Sequence, residues 1–232
     1  MSSTNRKIFI GYDPNLENQY LVAEHSLRKR LQSDIEIVKL NREEMVDKGL
    51  WYRPSETTDF THLRFLVPYL MDYKGWGLFL DSDILVLDDV TKLFDLAEDK
   101  YSVMCVKHQF SNPYIRWNWA SVMLMNCSKC RNLTPYIANN YLGDDLLRLQ
   151  WAENNSTYVE SSIGELPEEW NCLVSRDKDK EKVLMKDQER FEGNIQMKNP
   201  KIVHYTHGVP EIEGCENSRF ADVWWKELKE TK

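Results

Sequence analysis

Leu78-Phe79-Leu80-Asp81-Ser82-Asp83-Ile84-Leu85-Val86-Leu87 decides how this chain is read. Apolar residues on both sides of the two aspartates have the pattern of strands, so the carboxylates leave a sheet at its edge. Two carboxylates so close repel each other and lose hydration on packing, which a divalent cation or another positive charge would offset. Hard oxygen ligands suit magnesium or manganese, which complete their shells with substrate phosphates. The segment therefore points to a metal site that holds a phosphorylated ligand.

Working outward, Lys7 to Tyr12 reads as a first strand ended by Gly11 and the turn-forming Asp13-Pro14-Asn15. Leu16, Tyr20, Ala23, Leu27 and Leu31 then fall at helical spacing, with Glu17 early and Arg28, Lys29 and Arg30 late, as the helix dipole favours. Ile35 to Leu40 is the next strand. This β-α-β opening calls for a parallel sheet. Residues 48–58 show no period and read as a loop with exposed aromatics, fit to cover a ligand. Asp59 caps an expected helix through Met71, kinked or restarted at Pro68. Beyond the acidic pair come a short helix over Leu93, Phe94 and Leu96, a strand from Tyr101 to Val106, an irregular aromatic stretch at 110–119 and a strand from Ala120 to Met125. Residues 128–152 are expected to be mainly helical, with breaks near Pro135 and Gly143, and 177–182 to be a solvated charge run. A strand at Lys201 to Tyr205 and a helix from Arg219 to Lys229 follow. No repeat or linker interrupts the 232 residues, so a single domain over 1–232 is expected.

Composition narrows the function classes. The net charge of −7 and scattered Lys and Arg give no footprint for nucleic acid. No apolar stretch approaches 18 residues, so no transmembrane segment is expected, and Met1 to Lys7 lacks the apolar core of a secretory signal. The expected location is the cytoplasm. Five cysteines then read as reduced thiols, and Cys127-Ser-Lys-Cys130 has no second pair with which to build a zinc site. Sequons at Asn126, Asn132, Asn154 and Asn155 carry little meaning in that compartment.

A third metal ligand has to come from elsewhere in the sheet. His204 ends the strand Lys201-Ile-Val-His204 and precedes Tyr205-Thr-His207-Gly208, so its ring can reach the edge of the aspartates. An imidazole tilts selection toward manganese. Gly208 allows close backbone approach, and its N–H with the His207 ring could hold a phosphate. The bland readings are a hydrogen-bonded core histidine for His204 and a surface ion pair for Arg64. Trp51, Trp117 and Trp119 lie in segments where sugar or base stacking is possible.

In order, Lys7-Ile-Phe-Ile-Gly-Tyr-Asp13, Thr61-His-Leu-Arg64-Phe-Leu-Val-Pro68, Leu80-Asp-Ser-Asp-Ile-Leu-Val86, Trp119-Ala-Ser-Val-Met-Leu-Met-Asn126 and Ile202-Val-His-Tyr-Thr-His-Gly208 resemble the glycogenin-like retaining glycosyltransferases, family 8 and its bacterial relatives. The likeness spans about residues 6–228. It implies an α/β chain of GT-A type, a Rossmann-like three-layer sandwich with a mostly parallel central sheet. It implies sugar transfer from a nucleotide-diphosphate donor, most often a uridine one, to a glycan, lipid or small-molecule acceptor. Manganese, or magnesium in its place, would be held by Asp81, Asp83 and His204. Tyr12 and Asp13 would lie at the nucleotide base, and Ser82 between the two metal ligands. Arg64 would lie at the donor sugar or diphosphate, and Gly208 at the phosphates. Asp144 or Asp145 falls near the acidic region that approaches the sugar. Asn171, in Gly164-Glu-Leu-Pro-Glu-Glu-Trp-Asn171, would shape the donor or acceptor pocket.

This chain also departs from the pattern. Where the family has Asn-Ala/Ser-Gly-Val, it has Trp119-Ala120-Ser121-Val122, so the usual sugar-contacting Asn is either supplied by Asn118 or lost. The Lys-Pro-Trp of the late motif is missing, which makes His207 the candidate for the leaving phosphate. Two rivals stand beside this reading. A haloacid-dehalogenase phosphatase needs Thr or Ser at the position of Leu85 and its acidic motif on the first strand. A nucleotide-sugar-binding protein without turnover would share the fold.

Overall fold

The computed structural model describes residues 5–54, 57–109, 116–152, 162–174, 183–184, 190–191 and 197–232. Strand β1 (Arg6–Tyr12), helix α1 (Glu17–Arg30) and strand β2 (Glu36–Asn41) form the expected opening unit, with β1 and β2 parallel. Helix α2 (Arg42–Asp47) follows at once because Asn41 accepts from the backbone N–H groups of Glu43 and Glu44. The loop after it was expected to expose its aromatics. Tyr52 is exposed, but Trp51 is buried in the core.

The helix expected from Asp59 to Met71 is replaced by turns, a 3-10 segment at Leu63–Leu66 and the single turn α3 (Val67–Leu70). Pro68 sits in the first turn of α3, where its missing N–H has no intrahelical partner to lose. Strands β3 (Trp76–Leu80) and β4 (Ile84–Val86) flank the acidic pair, and α4 (Thr91–Asp95) starts against the Asp89 carboxylate. Strands β5 (Val103–Gln109) and β6 (Arg116–Asn126) pair antiparallel. Residues 116–119, expected to be irregular, are thus strand, held by backbone pairing of Asn118 with Lys107 and Trp117 with His108. The rest of that stretch, 110–115, lies outside the described residues, as does the charge run at 177–182.

Two short helices, α5 (Pro135–Asn140) and α6 (Gly143–Leu147), break where expected, with Thr134 capping the first. Strands β7 (Ile163–Glu165), β8 (Cys172–Leu173), β9 (Val183–Leu184), β10 (Arg190–Phe191) and β11 (Ile202–His204) lead to helix α7 (Ala221–Glu230). No helix among the described residues is long and apolar enough to cross a membrane.

The central sheet has the order β2-β1-β3-β6-β5-β7, parallel in three of its five pairings. Alternation along its strands feeds two cores. Phe9, Phe79, Met123 and Met125 face α3, α5 and α6, whereas Ile8, Ile10, Leu78, Leu80, Val122 and Leu124 face α1 and α4. These are the three layers expected. A second sheet, β4-β11-β8, packs through Leu85, Cys172 and Val203 against Val22 of α1 and Trp224 and Leu228 of α7. All five cysteines are buried thiols, none in a disulfide among the described residues; Cys127 has its thiol pushed up to about 12 by burial, so it is inert.

Candidate active site

The quoted segment Leu78 to Leu87 does not make one strand. Its first half, β3, lies in the central sheet and its second half, β4, in the small one. Asp81 still donates its N–H to the Ser121 carbonyl of β6 at 2.9 Å, while the Asp83 carbonyl accepts from Tyr205 N–H at 2.9 Å. Each aspartate is therefore fixed by a different sheet. Pairing of β4 with β11 sets His204 opposite Ile84, next to Asp83. One carboxylate oxygen from each aspartate and one ring nitrogen of His204 lie within 4.8 Å of one another.

The electrostatics follow from burial. Arg64 is almost wholly buried, and its Nη2 lies 2.8 Å from Asp81 Oδ1. Its other donors are committed: Nε gives to the Thr61 carbonyl at 2.7 Å and Nη1 to the Ala120 carbonyl at 2.6 Å, with the guanidinium 4.7 Å above the Phe79 ring. Loss of hydration pushes the Asp81 carboxyl up to about 6, against the pull of Arg64, and the Asp83 charge adds to the rise. Burial works to lower the pKa of His204, but Asp83 and Asp81 outweigh it and leave it raised. His204 Nε2 is 3.3 Å from Asp83 Oδ1, and its Nδ1 is 3.2 Å from Ser121 Oγ. Nearby in β5, His108 is pushed down to about 3, by burial first and then by His204, so it stays neutral.

The donor set is one that could hold a hard or borderline divalent cation. Among the described residues, Oδ1 of Asp81 and Oδ1 of Asp83 make ion pairs but no hydrogen bond, and the buried Ser82 Oγ between them has no hydrogen-bond partner. Buried polar atoms are seldom left so, and a cation is the natural complement.

Other expected site residues are dispersed around this cluster. Ile10 pairs with Leu80, so Tyr12 and Asp13 leave the sheet at the same edge as Asp81. Lys39 Nζ lies 4.3 Å from the Tyr12 ring centroid. Asp13 is occupied locally, accepting from Asn15 N–H at 2.9 Å and Asp59 N–H at 3.1 Å. Asp144 and Asp145 open α6, whose Gly143 is so close to the His62 ring that a Cβ there would sit 2.7 Å from Nε2. They follow a glycine that packs against His62, two residues before Arg64. Asn118 and Trp119 lie in β6, leading into Ala120 and Ser121. Asn171 is fully buried and donates to Ser121 Oγ at 2.9 Å, which places it behind His204. His207 is half-buried.

Gly208 differs from expectation. Its N–H donates to the Tyr205 carbonyl at 2.9 Å and so is not offered to a phosphate. The residue is needed for its φ of 116° and because a Cβ would come within 3.3 Å of Ile212 and Cys215. Sequence reading also passed over Ser121 as a site residue. A hydroxyl between apolar residues of a central strand was the available signal.

A sheet edge carrying an acidic pair, a histidine and a buried arginine, on a three-layer α/β frame, is an arrangement able to hold a divalent cation. Residues 12–133 match the profile of Glycosyl transferase family 8. Protein CDI of Arabidopsis thaliana is 36% identical, over 97% of this chain and 86% of that protein. The chain belongs to glycosyl transferase family 8. It is also 26% identical to the glycosyltransferase GlyB of Streptococcus pneumoniae over 94% of its length, spanning about half (53%) of GlyB. The galactosyltransferase LgtC, solved with donor and acceptor sugar analogues, shares the fold with a TM-score of 0.58 at 14% identity, over 97% of this chain and 95% of that one.

Proposed function

We propose that this glycosyltransferase moves a sugar from a nucleotide-diphosphate donor, a uridine one, to a glycan, lipid or small-molecule acceptor hydroxyl, with retention at the sugar. The observation that carries the reading is the convergence of Asp81, Asp83 and His204 on one point at the sheet edge. Those three residues would hold manganese or magnesium, which when bound supplies positive charge to the leaving diphosphate. The likeness in fold to LgtC, a galactosyltransferase that takes donor and acceptor sugar analogues, supports sugar transfer between two such ligands.

In this reading Arg64 fixes the Asp81 carboxylate and presents positive charge where the donor sugar and diphosphate lie. Tyr12, stiffened by Lys39, offers a ring face to the nucleotide base, and Asp13 shapes the turn beside it. His207 takes the role of the missing lysine at the departing phosphate. Asp144 or Asp145 supplies an acidic group toward the sugar, and Asn118 and Trp119 are counted among the substrate-binding residues. For retention the acceptor hydroxyl enters on the face the phosphate leaves, and that phosphate or a nearby carboxylate accepts its proton.

The test is release of nucleoside diphosphate from a panel of nucleotide sugars by the purified protein, with and without manganese. Manganese-dependent release that Asp83→Ala abolishes is expected. Donor binding without slow hydrolysis or transfer, under any acceptor tried, would instead favour a sugar-nucleotide-binding protein on this fold.

A further inference from the structure

Behind His204 lies a buried chain of polar groups that the transfer reaction does not itself call for. Asn171 Nδ2 donates to Ser121 Oγ at 2.9 Å, and Ser121 Oγ meets His204 Nδ1 at 3.2 Å. None of the three side chains is more than marginally exposed. The elements that carry them are separate: Ser121 stands in β6 of the central sheet, while Asn171 and His204 precede and end neighbouring strands β8 and β11 of the small one. A hydroxyl in a strand that is otherwise apolar, from Ala120 to Met125, costs desolvation unless it is bonded, and here its partners are a ring nitrogen and an amide.

We propose that Ser121 and Asn171 are positioning residues that set the orientation and tautomer of His204, and through it the affinity of the site for a divalent cation. The inference rests on the metal reading given above. A ring nitrogen can bind a cation only through a bare lone pair, and which nitrogen is bare is fixed by the hydrogen bond the other one makes. Nε2 is the nitrogen that faces Asp83, so a cation there needs Nε2 bare, and Nδ1 would then carry the proton and give it to Ser121 Oγ, 3.2 Å away. Asn171 holds the hydroxyl in turn. A serine has two rotatable bonds to its proton, and without the amide it could swing away from the ring. Among the described residues Asn171 Oδ1 has no hydrogen-bond partner, and the amide bonds the serine through Nδ2.

The contacts also exclude the simpler view that Ser121 fills space. A methyl would fill it as well, but would leave the Nδ1 proton and the Asn171 amide buried without partners. Ser121→Ala is therefore expected to raise the dissociation constant for Mn²⁺, read from free Mn²⁺ by electron paramagnetic resonance, by about 10- to 100-fold. Turnover should return at saturating Mn²⁺, since the serine places a ligand and touches no reacting atom. Asn171→Ala leaves the serine in place but its hydroxyl free to swing from the ring for part of the time, and should weaken Mn²⁺ binding by a smaller factor; it also serves as the test if Ser121→Ala does not fold. Wild-type affinity in either folded variant overturns the proposal. If the wild-type protein binds no Mn²⁺ while Ser121→Ala melts as wild type does, the metal reading itself has failed, which is a distinct result.

Discussion

Asp81 is a carboxylate that the fold makes hard to ionise, and this has a measurable cost in the metal-free protein. Its carboxyl titrates at about 6 in the folded chain against 3.8 when solvated, with burial the main cause and Arg64 opposing it. In the interval between these values the folded state holds a proton that the unfolded state has released, so stability falls as pH rises through it. At 1.36 kcal/mol per tenfold change in proton affinity, the interval corresponds to about 3 kcal/mol. The loss is complete above pH 6. Asp81→Asn imitates the protonated carboxyl at every pH and should not show it. The assay is urea unfolding of metal-free wild type and Asp81→Asn from pH 4 to pH 7.5, taking the difference between them so that other groups cancel. Wild type should lose about 2 to 2.5 kcal/mol relative to the variant across that range, the unfolded carboxyl being part-protonated at its lower end. Parallel stability curves would refute the account of Asp81 as a desolvated charge held only partly by Arg64. Saturating Mn²⁺ should remove much of the difference at high pH, because binding a cation favours the ionised form.

Further expectations concern other parts of the molecule. Arg64→Met removes the guanidinium that bridges Thr61, Ala120 and Asp81, and should cost about 3 to 5 kcal/mol in chemical unfolding at pH 8, with a smaller loss at pH 5 where Asp81 is protonated. Trp224→Ala empties the centre of the cluster between α7 and the small sheet, and a loss of about 3 to 5 kcal/mol is expected from calorimetry or urea melts. Gly208→Ala should destabilise by about 1 to 3 kcal/mol and disturb the turn after His204, seen as weaker Mn²⁺ binding. The buried Glu227 of α7 bonds His25 at 2.7 Å and Arg30 at 2.9 Å on α1. Burial works to raise its pKa, but Arg30, His25 and Lys29 outweigh it and leave the carboxyl below 4.5, so its stabilisation is present above that value and lost as pH falls through the folded pKa; Glu227→Gln should cost about 2 kcal/mol at pH 7 and progressively less as the pH is lowered through the folded pKa.

The sequence disclosed the central sheet well where side chains alternate or run apolar, as in β1, β3 and β6, because a strand buried on both faces leaves that mark regardless of what packs on it. It disclosed the Asp-Ser-Asp edge for the same reason. It could not show that Leu80 and Ile84 belong to different sheets, since both halves are apolar and the separation is made by partners far along the chain, Ser121 and Tyr205. The segment from Asp59 to Met71 misled in the opposite way. Its apolar residues sit at helical spacing, but Pro68 and packing under the central sheet left only a 3-10 stretch and one α-turn. Gly208 was legible as a special backbone position but not as one whose N–H is already spent. Ser121 was hidden because a single hydroxyl in a strand has no period to betray it.

That Asp81 answers to one sheet and Asp83 to the other makes their separation a gauge of how the sheets sit together. Any slippage of the small sheet along the large one opens or closes the gap between the carboxylates. A cation seated there would clamp the two layers like a rivet, and stripping it with a chelator should loosen β4, β11 and α7 before it loosens β1 or β3. Hydrogen exchange in those strands would then read the grip of the metal without any sugar present.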